Sequence, residues 1–337
     1  MTLYSSWTPL HAKVHRTIRS RHLFKRHQRL LIAVSGGQDS LCLIKLLLDL
    51  QPRWGWQLGI AHCDHRWRPD SQANASHVEN LAKTWGVTFF LQTAREPLKS
   101  EGAARDWRYQ VLSAIAREHQ FSCIVTGHTA SDRAETLLYN LIRGTGADGL
   151  QALTWKRLLC EDIALVRPLL EVTRTQTGEF CQEFQLPIWE DSTNCDVKYA
   201  RNRIRQEIIP YLQKNFNPQV ESALAQTAEL LQAEVEYLEQ AADDLRKEAL
   251  GRKEEDFDTS HPIKINRRVL QKAPLALQRR VMRQVLQQIL PVAPSFEHIE
   301  KMTALIASPN RSQTDPFPGG AIARVEGDWI CFQDPNS

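Results

Sequence analysis

The sequence predicts an α/β fold in which a doubly wound parallel sheet is joined to a second, smaller helical domain. Three observations lead to this prediction. Short and nearly continuous apolar runs alternate with helical patterns from residue 30 to about residue 170, as in strands that are covered on both faces. Beyond residue 218 the composition favours helices. A chain of 337 residues is also long enough for two domains, which we expect at residues 1–215 and 216–337.

Residues 1–30 predict a basic helix ahead of the first strand. They contain seven Lys or Arg and no Asp or Glu. Leu10, Val14 and Ile18 recur at helical spacing after Thr8-Pro9, a favourable helix start. We expect this helix to dock beside a phosphate site. A targeting peptide is the alternative, because such peptides are also basic and free of acidic residues.

Five apolar runs are expected to form the parallel sheet. They are Leu30–Ser35, Leu58–Cys63, Thr88–Gln92, Cys123–Thr126 and Leu165–Pro168. In such a sheet, ligands bind beyond the carboxyl ends of the strands, where the strand order reverses. We therefore expect the functional site at this edge.

The second domain is expected to consist of helices and to end in a short hairpin. A helix-forming stretch follows Pro218, and a charged linker (residues 251–258) separates it from a second helical stretch, Arg267–Leu290. Near the end of the chain, Ala321–Val325 and Asp328–Phe332 have the pattern of two short strands.

The composition narrows the functional classes. The net charge of +3 does not by itself indicate a nucleic-acid binder. No run approaches the roughly 18 apolar residues of a membrane span, so we expect a soluble, cytoplasmic protein without membrane contact. Seven cysteines are scattered without a CxxC pair, which argues for reduced thiols and against a zinc ribbon or an iron–sulfur site.

A glycine-rich loop follows the first predicted strand and leads into an apolar helix. It comprises Ser35, Gly36, Gly37, Gln38, Asp39 and Ser40. Two glycines let the backbone approach a polyanion, while unpaired N–H groups and the helix dipole favour negative charge at this end. The loop is suited to bind phosphates, although it lacks the GxxxxGK[ST] pattern of a Walker A loop.

The loop matches the SGGxDS motif at every fixed position, and it therefore resembles the loop of PP-loop enzymes, which have an adenine nucleotide alpha hydrolase-like fold. This resemblance implies that ATP is split into AMP and pyrophosphate to adenylate a substrate. A carboxylate beside a triphosphate is repelled unless Mg²⁺ bridges the two. We therefore interpret Asp39 as a metal ligand.

Two strings follow the second and third predicted strands. The first contains His62, His65 and Arg68. The second, residues 101–109, places Arg105 and Arg108 three apart on one helical face. Such a face suits contacts to phosphates or bases, and a solvated helix surface is the alternative interpretation.

A third string begins at the end of the fourth predicted strand, with Gly127 and His128. The strand end opens a helix, and His128, Asp132 and Glu135 fall at i, i+4 and i+7, so all three are expected to line one side of it. Three polar groups at the carboxyl end of a strand indicate a site.

A fourth string combines Asp191-Ser192-Thr193-Asn194 with Arg201, Arg203 and Arg205. Three arginines within five residues present planar guanidinium groups that suit phosphates. Pairing with nearby acidic residues is the alternative interpretation.

These four strings resemble those of the tRNA(Ile)-lysidine synthetase family over residues 30–215. Three positions depart from the family pattern: Arg66 and Trp67 replace a glycine and a leucine, and Ser131 replaces the first of two aspartates. The resemblance implies that ATP adenylates the C2 oxygen of the wobble cytidine in the isoleucine tRNA with anticodon CAU. Free L-lysine then displaces AMP, and codon specificity changes from AUG to AUA.

The resemblance also implies roles for individual residues. Asp39 and Asp132 would hold Mg²⁺, and Arg108, or alternatively Arg205, would share the charge of the departing pyrophosphate. Lysine, whose amine has a pKa of about 10.4 in solution, must lose a proton before it attacks, and His128 and Glu135 are the candidates to take it. The nucleotide would also contact the six loop residues, His62 and Gly127. The tRNA would contact residues 216–337 and the following arginines: Arg68, Arg105, Arg201, Arg203 and Arg205.

Two other functions fit the same loop. A PP-loop tRNA thiolase uses a sulfur donor in place of lysine, but the thiolases most similar to this chain use CxxC pairs, which it lacks. A nucleotide-binding module without catalysis would leave Asp132, Glu135 and the arginine-rich string without a role. From the fold we also expect a homodimer.

Overall fold

A computed structural model describes residues 7–98, 100–160, 162–190, 198, 200–250 and 263–333. The chain forms two compact units, residues 1–232 and 233–337. The boundary falls inside one long helix, because the first part of this helix carries Glu229, which pairs with Arg21 and Arg133 of the first unit. The sequence-based boundary between residues 215 and 216 places that part of the helix in the second domain.

The first unit is built around a six-stranded sheet. Its elements are α1 (Pro9–Ser20), β1 (Arg29–Ala33), α2 (Gln38–Trp54), β2 (Gln57–Asp64), α3 (Ser71–Thr84), β3 (Thr88–Thr93), α4 (Glu101–Glu118), β4 (Cys123–Thr126), α5 (Ala130–Ile142), α6 (Ala147–Leu150), β5 (Lys156–Cys160), β6 (Ile163–Val166), α7 (Arg174–Glu183), α8 (Ala200–Arg203), a π-helical turn (Ile204–Ile208), α9 (Ile209–Asn215) and the start of α10 (Val220–Leu250).

The strand order is β3-β2-β1-β4-β6-β5, and all neighbours except β5 and β6 are parallel. Alternate residues of β1 enter two different apolar clusters: Leu30 and Ile32 pack in one, Leu31 in the other, and all three are fully buried. This two-sided burial explains the continuous apolar runs. The strand order reverses between β1 and β4, so the loops after these two strands meet at the switch point.

The five strands predicted for the first unit are present, and among the described residues of this unit there is one further strand that was not predicted from the sequence. This strand, β5, pairs antiparallel to β6 at the edge of the sheet. Lys156, Arg157 and Leu158 on it are all exposed. Because the strand faces solvent over much of its length, it lacks the apolar run by which the other strands were identified.

The predicted basic helix is α1. Thr8 caps it, and Val14 and Ile18 are fully buried. Part of the basic surface of this segment is used inside the unit, since Lys13 donates to the backbone oxygen of Glu171 and Arg21 pairs with the carboxylate of Glu171.

The second unit mixes helices with a small antiparallel sheet of order β7-β9-β8. Besides the end of α10, its elements are β7 (Lys264–Asn266), α11 (Arg267–Gln271), α12 (Leu275–Ile289), α13 (Phe296–Leu305), β8 (Ile322–Glu326) and β9 (Trp329–Gln333). The expected hairpin is β8–β9. The helical stretch expected over 267–290 consists of two helices: the first ends at Gln271 and the second begins after Pro274, which cannot donate a backbone hydrogen bond. The linker at 251–258 lies outside the described residues, and none of the described helices is long and apolar enough to cross a membrane.

Candidate active site

The glycine-rich loop connects β1 to the first turn of α2. Gly36 has a φ of +88°, and a Cβ atom on it would lie 2.5 Å from the side-chain oxygen of Asn74. Ser40 closes the loop, because its hydroxyl donates to the carbonyl of Gly37 and accepts from the N–H of Ser35. The backbone is therefore held in a tight turn at the start of a helix, which is an arrangement that binds phosphate groups.

The loop after β4 lies directly against this turn. A Cβ atom on Gly127 would stand 2.9 Å from the carbonyl oxygen of Asp39 and 3.2 Å from the Cα atom of Ser40. Only glycine allows this contact between two loops of the sheet. The next residue, His128, thereby lies beside the start of α2.

Asp39 is held by two residues of α7. The hydroxyl of Thr177 donates to one carboxylate oxygen, and a guanidinium nitrogen of Arg174 lies 3.6 Å from the other. Burial raises the pKa of Asp39, and the negative charge of Asp132 adds to this effect, while Arg174 opposes it. Asp39 and Asp132 thus interact electrostatically across the switch point.

Asp132 and Glu135 share one partner, Arg205. The Nε and Nη2 atoms of Arg205 donate to the two carboxylate oxygens of Glu135 at 2.6 and 2.8 Å, and Nη2 lies 3.3 Å from Asp132. The other oxygen of Asp132 accepts from the backbone N–H of Thr129 at 2.7 Å and caps α5. Burial raises the pKa of Glu135, and the hydrogen bond from Arg205 opposes it.

A cavity of about 450 Å³ opens beside the loops. Its walls come from the ends of β1, β2 and β4 and from α2, α3 and α4. The following residues line it: Ala33, Val34, Ser35, Asp39, Ser40, Ala61, His62, Cys63, Asp64, His65, Arg66, Trp67, Arg68, Ser71, Asn74, Arg108, Tyr109, Thr126, Gly127 and His128. Polar and apolar side chains thus face the same space, as is usual for a site that binds an organic ligand.

Three imidazoles face this cavity. Burial, together with the nearby charge of Arg108, lowers the pKa of His65 to about 4. Burial also lowers the pKa of His128 to about 4, although the charge of Asp132 opposes it. Burial lowers the pKa of His62, whose Nδ1 atom lies 2.8 Å from the carbonyl oxygen of Val34. Neutral imidazoles at pH 7 can accept protons.

The structure brings some of the predicted site residues together and separates others. Ser35, Asp39, Ser40, His62, Arg68, Arg108, Gly127 and His128 line the cavity, whereas Gly36, Gly37, Gln38, Asp132, Glu135, Arg105, Arg201, Arg203 and Arg205 do not. The Nε atom of Arg68 pairs with Asp70 at 3.0 Å. The guanidinium of Arg201 lies 5.6 Å from the ring centre of Tyr139, and Arg203 is exposed.

Two site residues have surroundings that differ from the sequence-based expectation. His128 precedes the helix instead of lying on it, because α5 begins at Ala130 with Thr129 as its N-cap. The side chain of Gln38 turns away from the loop and donates to the carbonyl of Arg174 and to the hydroxyl of Thr177. Only the backbone of Gln38 is therefore available to a phosphate.

The structure shows the backbone conformation of one residue that departs from the expected motif and the hydrogen bonds of another. Arg66, which stands where a glycine was expected, has a φ of +57°. Ser131, which stands where an aspartate was expected, donates to the carboxylate of Glu221 at 3.0 Å and accepts from the N–H of Arg174 at 3.0 Å. The string Asp191-Ser192-Thr193-Asn194 lies outside the described residues.

Several residues that shape this site were not predicted from the sequence. Arg174 and Thr177 hold Asp39, Asn74 donates to the carbonyl of Ser35, and Trp189 donates its backbone N–H to the carbonyl of Gly36. The only local signal was the capping pattern of Thr173 and Gln176, which predicts the start of α7 but not the element that α7 touches.

Comparison with known proteins adds to this geometry. Residues 8–212 match the PP-loop domain family, and residues 266–329 match the TilS substrate binding domain family. The chain is 73% identical to a tRNA(Ile)-lysidine synthase of a Nostoc species, over 97% of the chain and 98% of that relative. It is 50% identical to one of a Synechocystis species, over 97% and 98%, and 36% identical to a chloroplastic one of Zygnema circumcarinatum, over 86% and 78%.

A solved structure shares the fold. The U34-tRNA thiolase NcsA from Methanococcus maripaludis, solved with its [4Fe-4S] cluster, aligns with a TM-score of 0.57 and 17% sequence identity, over 66% of this chain and 77% of that one. At this identity the likeness concerns the fold alone. Among the described residues, no group of three or more His, Cys, Asp or Glu is placed to hold a metal ion.

Proposed function

The chain belongs to the tRNA(Ile)-lysidine synthase family, and on this premise we propose that it ligates free L-lysine to C2 of the wobble cytidine in the CAU-anticodon isoleucine tRNA. ATP adenylates the base, and AMP and pyrophosphate are released. The observation that carries the proposal is the contact of Gly127 with Asp39, which joins the phosphate-binding turn to the cavity that His128 lines.

The glycine-rich turn binds the phosphates of ATP through backbone N–H groups. The N–H groups in the first turn of α2 have no intrahelical acceptors, and the helix dipole adds favourable positive potential there. Ser35 and Ser40 present hydroxyl groups to the same space. His62 and Gly127 line the adjoining wall, where the rest of the nucleotide would lie.

The residues present fit a magnesium ion. Mg²⁺ uses one or two protein carboxylates together with phosphate oxygens and water, and Asp39 and Asp132 supply two carboxylates that repel each other. When bound, the ion would neutralise charge on the phosphates and the departing pyrophosphate. Thr177 would hold one oxygen of Asp39 in place, while Arg108 would add a fixed positive charge on the opposite wall.

The cavity suits a base that has left its stack. Enzymes that modify a nucleobase extrude it into a pocket, and unpaired loop bases are the usual targets of RNA-reading proteins. A volume of about 450 Å³ lies within the usual range for small ligands. The wobble cytidine would enter beside the imidazoles, so that its C2 oxygen meets ATP at the edge of the sheet.

Lysine would attack the adenylated base as a free amine. His128 is neutral at pH 7, because burial lowers its pKa to about 4, and its ring is fixed by a 2.8 Å contact between Nδ1 and the hydroxyl of Thr126. In the tautomer in which Nδ1 donates to Thr126, the other nitrogen of His128 would be able to accept the proton. Glu135 is held by Arg205, and we assign it the positioning of the lysine zwitterion.

We also propose further contacts with tRNA, a cytoplasmic location and a homodimer. Arg68, Arg105, Arg201, Arg203 and Arg205 would contact tRNA, as would residues 216–337. The six cysteines that the structure describes are free, which supports the proposed cytoplasmic location. A homodimer is a prediction that light scattering at several concentrations tests.

A transfer assay tests the proposed function. The protein is incubated with ATP, radiolabelled lysine and an unmodified CAU-anticodon isoleucine tRNA transcript, and label on the tRNA and AMP are measured together. The matched control is the same transcript with uridine at the wobble position. We expect equal amounts of transferred lysine and AMP with the first transcript and neither with the second. Absence of label on the first transcript would refute the proposal.

A further inference from the structure

A group of four arginines surrounds Tyr109 on the outer side of the cavity. Arg105 and Arg108 come from α4, Arg157 from the edge strand β5, and Arg167 follows β6. The guanidinium carbons of Arg105 and Arg157 lie 5.9 and 5.3 Å from the centre of the Tyr109 ring. Both distances are within the range of a cation–π contact. We call these five residues the arginine cluster.

The arginine cluster has no carboxylate partner among the described residues, although Arg167 donates to the carbonyl of Thr154. Elsewhere in the first unit, Arg21, Arg133 and Arg205 pair with carboxylates. Within the part of the chain that the structure describes, none of the cluster's four guanidinium groups pairs with a carboxylate. The Nε atoms of Arg108 and Arg167 are buried without a hydrogen-bond partner. Buried cationic groups are costly when unpaired, so such a cluster favours binding of an anion.

The positive charges of the arginine cluster also act on the phenol of Tyr109. Burial opposes ionisation of its phenol, but the charges of Arg167 and Arg105 outweigh burial and hold the pKa below its usual range. The same two arginines and Arg108 also lower the pKa of His128. The positive potential therefore extends from the surface to the wall of the cavity.

The position of the arginine cluster indicates whether it binds a phosphate of ATP or a phosphodiester of the tRNA. Arg108 and Tyr109 line the cavity, whereas Arg105 and Arg157 are exposed and lie outside its lining. The phosphates of ATP are expected at the glycine-rich turn, among residues Ser35–Ser40. A nucleotide of the tRNA that inserts its base into the cavity must leave its phosphodiester outside, where exposed arginines can reach it.

We propose that Arg105 and Arg157, held against the ring of Tyr109, bind the phosphodiester of the tRNA nucleotide whose base enters the cavity. This inference rests on the proposed function and adds Arg157 and Tyr109 to the residues that recognise the tRNA. Tyr109 acts as a positioning residue, because its ring restricts two flexible side chains in advance and so lowers the entropy lost on binding.

The test measures the Kd for the unmodified tRNA transcript at several KCl concentrations and, separately, the Kd for ATP. Arg157→Ala should weaken tRNA binding about 10-fold and lower the slope of log Kd against log salt by about 0.7 to 0.9, the change for one lost phosphate contact. The matched control is Lys156→Ala, which removes the same charge from the opposite face of β5. Lys156→Ala should change the Kd for tRNA by less than about 2-fold and leave the salt slope close to that of the wild type. Both variants should bind ATP as the wild type does.

Two variants of the tyrosine separate the ring from its hydroxyl. Tyr109→Phe keeps the ring and should retain tRNA affinity, whereas Tyr109→Leu should lose affinity about 5-fold, since one cation–π contact contributes on the order of 1 kcal/mol. An unchanged salt slope in both Arg157→Ala and Arg105→Ala would overturn the proposal. A loss of ATP affinity with unchanged tRNA binding would also overturn it, because the site would then serve the nucleotide. Lysine transfer by the wild type is measured independently, so failure of the proposed function remains distinguishable.

Discussion

Gly127 lies against the backbone of Asp39, and a Cβ atom on Gly127 would stand 2.9 Å from the Asp39 carbonyl oxygen. Gly127→Ala must therefore push the two loops apart. We expect a loss of stability of about 1 to 3 kcal/mol from overpacking. We also expect pyrophosphate release to slow about 100-fold, because a displacement near 1 Å at a reacting centre has an effect of that size. Urea unfolding and a pyrophosphate assay measure the two quantities.

Gly146→Ala is the matched control for this substitution. A Cβ atom on Gly146 would meet no atom within 4 Å, and its φ is −71°. The same added methyl group should leave both stability and pyrophosphate release close to wild type. Equal losses in the two variants would show that the contact between Gly127 and Asp39 has no special importance.

Asp39→Asn should stop pyrophosphate release while raising stability. Burial and the charge of Asp132 raise the pKa of Asp39, so its ionised form is disfavoured in the folded protein. For an acid with a raised pKa, stability is greatest below the unfolded-state pKa and falls as pH rises through the folded-state pKa. Asparagine removes this penalty and can still accept the hydrogen bond from Thr177. We expect a gain of about 1 kcal/mol, which corresponds to roughly 2 °C in Tm.

Asp49→Asn serves as the control within the same helix. The carboxylate of Asp49 pairs with Lys45 at 2.6 Å and with His11 at 3.0 Å. Its removal should lower Tm, in the opposite direction to Asp39→Asn. Pyrophosphate release at the wild-type rate by Asp39→Asn would remove the proposed metal role.

Arg66→Gly should stabilise the protein. Arg66 has a φ of +57°, a conformation that glycine adopts more easily than other residues. Relief of this strain should raise the free energy of unfolding by about 1 kcal/mol. Arg66→Ala is the comparison, because it removes the same side chain and keeps the strain. If urea unfolding gives equal midpoints for both variants, the turn is not strained.

The sequence predicted the local features of this site and missed those that join distant segments. A strand, a glycine turn and a helix start occupy consecutive residues, so the phosphate-binding turn at Gly36 could be recognised directly. The hydrogen bond from Thr177 to Asp39 could not be predicted, because the two residues are 138 positions apart. Only the packing of α7 on α2 brings them together.

The contacts of Arg205 also could not be predicted from the sequence. Three neighbouring arginines suggested a common role in binding phosphate, but the fold separates them: Arg203 is exposed, whereas Arg205 lies between Asp132 and Glu135. Arg205 lies in the turn from Ile204 to Ile208. The direction of its side chain there cannot be predicted from the composition.

Arg205→Ala should therefore destabilise the fold, and Arg203→Ala should not. Arg205 donates twice to Glu135, whose side chain is 5% exposed, so its removal leaves a buried carboxylate unpaired. We expect a loss of about 3 kcal/mol. Arg203→Ala should stay within about 0.5 kcal/mol of wild type, as is usual for a surface position, but weaken tRNA binding and flatten its salt dependence. Similar unfolding midpoints for both variants would contradict this assignment.

Acidification should destabilise the wild type more than His128→Asn. Burial lowers the pKa of His128 to about 4 in the folded protein, whereas the unfolded chain has the ordinary value of 6.5. The unfolded state therefore binds more protons between these two values, and stability falls as pH drops from 6.5 to 4. Asparagine does not titrate, so between pH 7 and 5 the variant should lose less stability, by on the order of 2 kcal/mol. Urea unfolding at pH 7, 6 and 5 measures the difference. The first of these pH values lies above the window between the two pKa values, and the other two lie within it. Parallel curves for wild type and variant would mean that His128 keeps its ordinary pKa and is not the neutral proton acceptor assigned here.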